Sequence, residues 1–160
     1  MADLVPARAG RMQRRAGERG PVREFLAFVL AGELYGVELT RIREILSPPP
    51  LTPVPRAPPE VMGVCSVRGL LVTVMDLRRR LRLAENDTTR RARILLTQVE
   101  SGEVIGLFVD EVRHVMRLAE SEIESSSSVL GGDVSEHVLG IGRPNGSFMI
   151  LLDLPAIVGN

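Results

Sequence analysis

Two aspartates, Asp76 and Asp153, stand at matching places in a segment that the chain carries twice, and paired carboxylates are the first arrangement to test for chemistry. Residues 61–81 and 138–158 align without a gap at an offset of 77, with Val, Gly, Gly, Asp and Leu coinciding at 61/138, 63/140, 69/146, 76/153 and 77/154. A duplicated β protein with one Asp per copy has the makings of an aspartic-protease pair, in which two carboxylates share a proton. Here each Asp precedes Leu, not the small-residue turn that would bring two carboxylates together. Both read as caps of short helices, accepting from the free amides of the first turn.

The other candidates fail on context. Cys65 as a nucleophile needs a base and a lowered pKa, yet it sits inside an apolar run and reads as core packing. His114 and His137 have no second His or Cys at ligand spacing, which argues against a metal. Gly140-Ile141-Gly142 through Gly146 has the glycine content of a phosphate loop, but Pro144-Asn145-Gly146 is hairpin-turn chemistry leading into another strand. The chain reads as a non-enzyme without a cofactor.

The elements that carry these residues follow from periodicity. Phe25–Leu30, a Gly32-Glu33 turn and Leu34–Leu39 make a first hairpin. Leu39, Ile42 and Ile45/Leu46 then fall three to four apart, with Thr40, Arg41, Arg43 and Glu44 opposite, which predicts a short amphipathic helix over 39–46. Pro48-Pro49-Pro50, with Pro53, Pro55, Pro58 and Pro59, forces an extended link to the long hairpin. Its strands, 61–67 and 70–75, are apolar at nearly every position, as in strands covered on both faces. Asp76 opens a short helix through Leu81, and Asp153 another over Leu154–Val158.

Between the copies, Ile94–Val99, a Ser101-Gly102 turn and Val104–Val109 form a second first hairpin, and 125–133 reads as a flexible loop. Gly32, Glu33, Gly36 and Arg43 are echoed by Gly102, Glu103, Gly106 and Arg113 at an offset of 70. The repeated unit is therefore about half the chain. The fold class is mainly β: two similar small β-barrels packed face to face, with a few short helices, one over about 24–90 and the other over about 91–158.

Composition bounds the function. With 160 residues, 17.5 kDa and 44% hydrophobic residues, the chain is the size of one domain or two small lobes. No apolar run approaches the roughly 18 residues of a membrane span, the N-terminus lacks a secretory stretch, and the single cysteine suits a reducing compartment, so no membrane insertion and a cytoplasmic location are expected. Net charge is zero but uneven. Residues 1–23 hold six Arg against Asp3 and Glu18, the remainder 14 Arg against 18 acids, and there is no Lys. This Arg-rich leader has almost no apolar periodicity and reads as disordered.

A small-barrel nucleic-acid-binding protein using that leader is the runner-up. The body is net negative and the aromatics number five (one Tyr, four Phe), which makes nucleic acid unlikely as a partner. Arg78, Arg79, Arg80 and Arg82 read as the solvated face of a short helix, and Arg90, Arg91 and Arg93 likewise as solvated.

Taken in order, F-L-A-F-V-L-A-G-E-L-Y-G-V-E-L-T-R-I-R-E-I-L, a proline-rich link with A-P-P-E-V-M-G-V, then S-V-R-G-L-L-V-T-V-M-D-L-R, G-x-G and L-L-D-L resemble the bacterial chemotaxis coupling protein family, the CheW-like adaptors. The resemblance runs from about residue 24 to 158. It implies two five-stranded SH3-like barrels and a non-enzymatic signalling adaptor, coupling the cytoplasmic hairpin of a methyl-accepting chemoreceptor to the regulatory domain of a CheA-type histidine kinase. For receptor binding it points to Ile42, Glu44 and Arg68, and for kinase binding to Leu70 and Leu71. Ile42 equally suits a core position, and Leu70 and Leu71 equally suit burial in their own barrel. No turn rule requires Arg at 68, where the second copy has Asn145; its guanidinium has the length to reach a carbonyl or carboxylate near the groove, or a partner. The chain departs from the family at Ser66-Val67, Thr73, Arg93 and Val129, which also suits a paralogue serving another chemosensory pathway, such as surface motility or development.

Overall fold

The computed structural model describes residues 21–85, 87, 89–125 and 136–159. The leader up to residue 20 and most of the expected 125–133 loop, Val129 included, lie outside the described residues. Strands β1 (Val22–Leu30) and β2 (Glu33–Glu38) form the first hairpin, followed by a 3-10 turn (Leu39–Arg41) and β3 (Ile42–Leu46). The long hairpin is β4 (Val61–Val67) and β5 (Leu70–Asp76), running directly into helix α1 (Leu77–Arg80). Then come β6 (Arg93–Gln98), β7 (Val104–Val109), β8 (Glu111–Ala119), β9 (Ile123–Ser125), β10 (Val138–Gly142), β11 (Met149–Leu152) and helix α2 (Leu154–Val158).

These strands build two sheets, in the orders β8-β1-β2-β11-β10-β9 and β3-β6-β7-β5-β4. Each draws on both sides of residue 90. The first hairpin, β1–β2, pairs through β2 with β11 of the second long hairpin, parallel, at Tyr35↔Ile150 and Gly36↔Leu151. Its counterpart β6–β7 pairs through β7 with β5 of the first long hairpin, also parallel, from Thr73↔Ile105 to Asp76↔Phe108. The repeats have exchanged hairpins, so the sequential halves 24–90 and 91–158 do not coincide with the two SH3-like subdomains.

Three apolar clusters explain the hydrophobic pattern. Phe25 and Ala27 face Leu118, Met149 and Leu151 inside the six-stranded sheet. Cys65, Val72, Val74, Ile94 and Phe108 fill the five-stranded one. The alternate residues, Leu26, Phe28 and Leu30 on one side and Leu95, Leu107 and Val109 on the other, meet between the sheets with Leu77, Leu154 and Ile157. Strands β1, β6 and β7 are thus apolar at successive positions because one face lines their own subdomain and the other packs on its neighbour. The long hairpin, expected to be covered on both faces, is not: Val72 and Val74 are buried, whereas Leu70 and Leu71 at the start of β5 are 49% and 68% exposed.

The expected helix over 39–46 is also corrected. Only Leu39–Arg41 turns, as a 3-10 segment, and Ile42–Leu46 is a strand paired with β6 through Ile42↔Thr97 and Glu44↔Leu96. Eight residues cannot stabilise a helix on their own, and the neighbouring strand supplies a full ladder for a segment rich in β-branched Ile. A register shift between Ile42 and Glu44 breaks strict alternation.

The repeated glycines at 63 and 140 have one physical cause. A Cβ at Gly63 would lie 2.6 Å from the carbonyl oxygen of Thr52, and at Gly140 2.5 Å from that of Glu124. In both copies another chain segment passes at backbone contact.

Candidate partner-binding site

Glu44 projects from β3 and Arg68 from the β4–β5 turn, the two outer strands of the five-stranded sheet, and their side chains form an ion pair across that seam. Hydrogen bonds of 2.9 Å between Thr52 and Val64, in both directions, hold the proline-rich link against β4 along the same edge. The turn itself is two residues long, between the paired Val67 and Leu70. Arg68 has φ +50° and Gly69 φ +81°, the signature of a type I′ hairpin, which Asn or Gly would enter with less strain. Arginine here serves its side chain, not the turn.

Around this pair lies a cleft of about 240 Å³ lined by Arg43, Val67, Leu70 and Leu96 as well as Glu44 and Arg68. Arg43, which donates to Gln98 Oε1 at 3.2 Å, also borders a larger groove of about 560 Å³. Thr40, Arg41 and Thr97 form one wall of that groove, and Leu154, Pro155 and Val158 of α2 the other. Glu44, Arg68 and Leu70 are therefore neighbours, with Leu71 beside them on β5. Ile42 is half-buried and packs on the core between the sheets. The exposed apolar residue of this strand is Ile45, at 42%. Helical spacing had placed Ile45 on the buried stripe; strand geometry with a bulge exposes it.

The remaining expectations are placed as follows. Asp76 caps α1 by accepting from the Arg78 amide at 2.9 Å, and Asp153 caps α2 by accepting from Ala156 at 3.4 Å. Each carboxylate is engaged locally. Cys65 is buried in the five-stranded sheet, and burial pushes its thiol up, away from the thiolate a nucleophile needs. His114 is exposed and His137 half-buried, and among the described residues no three His, Cys, Asp or Glu side chains gather as a metal site requires.

The solvated arginine face is corrected. Arg79 fits it, exposed and bonded to Glu85 at 3.0 Å, but Arg78 is only 4% exposed and Arg80 is half-buried. Arg78 pairs with Asp76 and with Asp110, each at 3.2 Å. A run of three arginines masks which one turns inward; the buried cap Asp76 two residues before Arg78 is the signal that could have found it. Among the others, Arg91 pairs with Glu111 at 3.4 Å, and Arg93 donates to the Arg90 and Ala92 carbonyls.

Among the described residues no helix is long and apolar enough to cross a membrane. A family model described as "CheW-like domain" matches residues 24–160. The chain is 30% identical over 135 residues to "Chemotaxis protein CheW" of Bacillus subtilis (strain 168), covering 84% of this chain and 86% of that one. It is 34% identical over 145 residues to "Protein FrzA" of Myxococcus xanthus, covering 90% and 86%. The solved structure of scaffolding protein TtCheW from Thermoanaerobacter tengcongensis superposes with a TM-score of 0.77 at 27% identity, covering 86% of this chain and 93% of that one.

Proposed function

Because the chain belongs to the CheW-like domain family of non-enzymatic chemotaxis and motility scaffolds, we propose that it couples the cytoplasmic helical hairpin of a chemoreceptor to the regulatory domain of a CheA-type histidine kinase, in the cytoplasm and without a cofactor. The observation that carries this reading is the Glu44–Arg68 pair, with Arg68 exposed and Glu44 half-buried, set in a cleft that Leu70 also lines, beside the exposed Leu71. A surface ion pair adds little stability, so both residues are free to serve recognition. A helix laid along this cleft meets charge at Glu44 and Arg68 and apolar surface at Val67; Ile45, paired with Leu95, points to the other face of β3. Leu70 and Leu71 offer the kinase an apolar patch on the adjoining strand.

Mixing purified receptor hairpin and kinase regulatory domain with the folded protein tests this directly. Binding to both, jointly and at separable sites, is expected. A folded protein that binds neither sinks the proposal, and salt-sensitive binding to nucleic acid in its place, dependent on the Arg-rich leader, supports the runner-up.

A further inference from the structure

The apolar residues between the two sheets hold them together without fixing their angle, because apolar contact has no preferred direction. Directional bonds across the same boundary come from α1. Arg78 donates through Nη2 to Asp76 Oδ2 and forms an ion pair through Nη1 with Asp110 Oδ1, each at 3.2 Å, with its guanidinium 5.8 Å over the Phe108 ring. Asp110 is the one residue between β7 and β8, where the chain passes from the five-stranded to the six-stranded sheet. Its second oxygen accepts from the Ala31 amide at 2.8 Å, in the β1–β2 turn. Burial opposes the charge on Arg78, but the hydrogen bond and charge of Asp76, with the charges of Asp110 and Glu85, outweigh it and hold the guanidinium protonated.

Two residues further on, Arg80 Nε donates to the Ile157 carbonyl at 3.0 Å, in α2. That bond ties a helix continuous with β5 of one sheet to a helix that follows β11 of the other. Since α2 is one wall of the large groove and β3 lies in the opposite wall, the tie spans the two bodies whose angle sets the groove's width.

We propose that α1 is a strut: Arg80 and Arg78 are positioning residues that set the angle between the two sheets and so hold the groove between β3 and α2 at the width its partner needs. The consequence for the partner rests on the adaptor reading; the angle itself does not.

Exposed Ser66 on β4 and His114 on β8 report the angle from opposite sheets. In a Cys65→Ala background, Ser66→Cys and His114→Cys carry spin labels, and pulsed dipolar spectroscopy reads the distance between them. Arg80→Ala and Asp110→Asn are each expected to broaden or shift that distance distribution while circular dichroism and cooperative melting persist. Asn at 110 can keep its oxygen as the acceptor for Ala31, but then turns a donor NH2 in place of a charged acceptor toward Arg78. Receptor-hairpin affinity is expected to fall at least fivefold in Arg80→Ala.

Distributions that superimpose on the parent's in both variants overturn the strut, whatever the partner does. A shifted distribution with unchanged hairpin affinity overturns its link to binding. A parent protein that binds no hairpin counts against the adaptor reading alone, and the distances still decide the strut. Should Asp110→Asn fail to fold, Arg80→Ala, at a half-buried site, carries the test.

Discussion

Glu44 and Arg68 meet across the open seam of the five-stranded sheet, so the two residues of this pair join its first strand in chain order to the turn after its second. Arg68 is exposed and Glu44 half-buried, which leaves the pair weak as a stabiliser and accessible as a recognition element.

Charge reversal at Glu44 (Glu44→Arg) is therefore expected to cost under about 1 kcal/mol of stability, and to weaken receptor-hairpin binding by about tenfold or more, an order set by the loss of one charge-assisted contact. Calorimetric titration beside thermal melts reads both. A large fall in the melting midpoint would show the residue to be structural.

Leu71 and Leu107 separate surface from core within one sheet. Leu71→Ala is expected to change stability by less than about 0.5 kcal/mol while reducing binding of the kinase regulatory domain. Leu107→Ala, fully buried between the sheets, is expected to cost about 2–5 kcal/mol. Urea titrations check the contrast, and equal costs would contradict the burial assigned to β5.

Gly63→Ala and Gly140→Ala should each destabilise by at least about 1–3 kcal/mol, the usual range for overpacking, because the new methyl would meet the Thr52 or Glu124 carbonyl oxygen. The same unfolding curves measure this. A neutral result at both would mean that the passing segments yield freely.

Alkaline stability follows from two buried groups. Burial raises the Cys65 thiol above its ordinary 9.0, and burial, with the Glu33 carboxylate second, raises the Tyr35 phenol above 10.0. In both cases the unfolded chain releases its proton first, so it binds fewer protons than the folded one and stability falls as pH rises past the ordinary values. The melting midpoint should thus drop between about pH 8 and pH 10.5, and Cys65→Ala should lessen the drop. A midpoint that is flat over this range would remove the account.

Much of the fold was legible because it rests on local rules. The caps Asp76 and Asp153, the turn at Arg68-Gly69 and the strands of both first hairpins need only the chain near them. The helix over 39–46 failed for a reason periodicity cannot supply: with Ile42 and Ile45 three apart, helix spacing and a bulged strand look alike, and the waiting edge of β6 decides. Arg78 was hidden similarly, since a run of arginines has no internal mark of which one turns inward. Of the candidate site, Ile42, Glu44, Arg68, Leu70 and Leu71 were named by resemblance to the family, while the exposure of Ile45 required the strand to be known.

The sequence by itself determined that a half-chain unit is written twice, with its turns, caps and close-approach glycines in register. Only the tertiary structure decided that the units exchange hairpins, β2 pairing with β11 and β5 with β7. Alternation and turn chemistry specify that a strand forms and which face it buries, but every strand edge offers the same row of amides and carbonyls. Which edges meet is settled by the long-range packing of Leu26, Phe28, Leu95, Leu107 and Val109 between the two sheets.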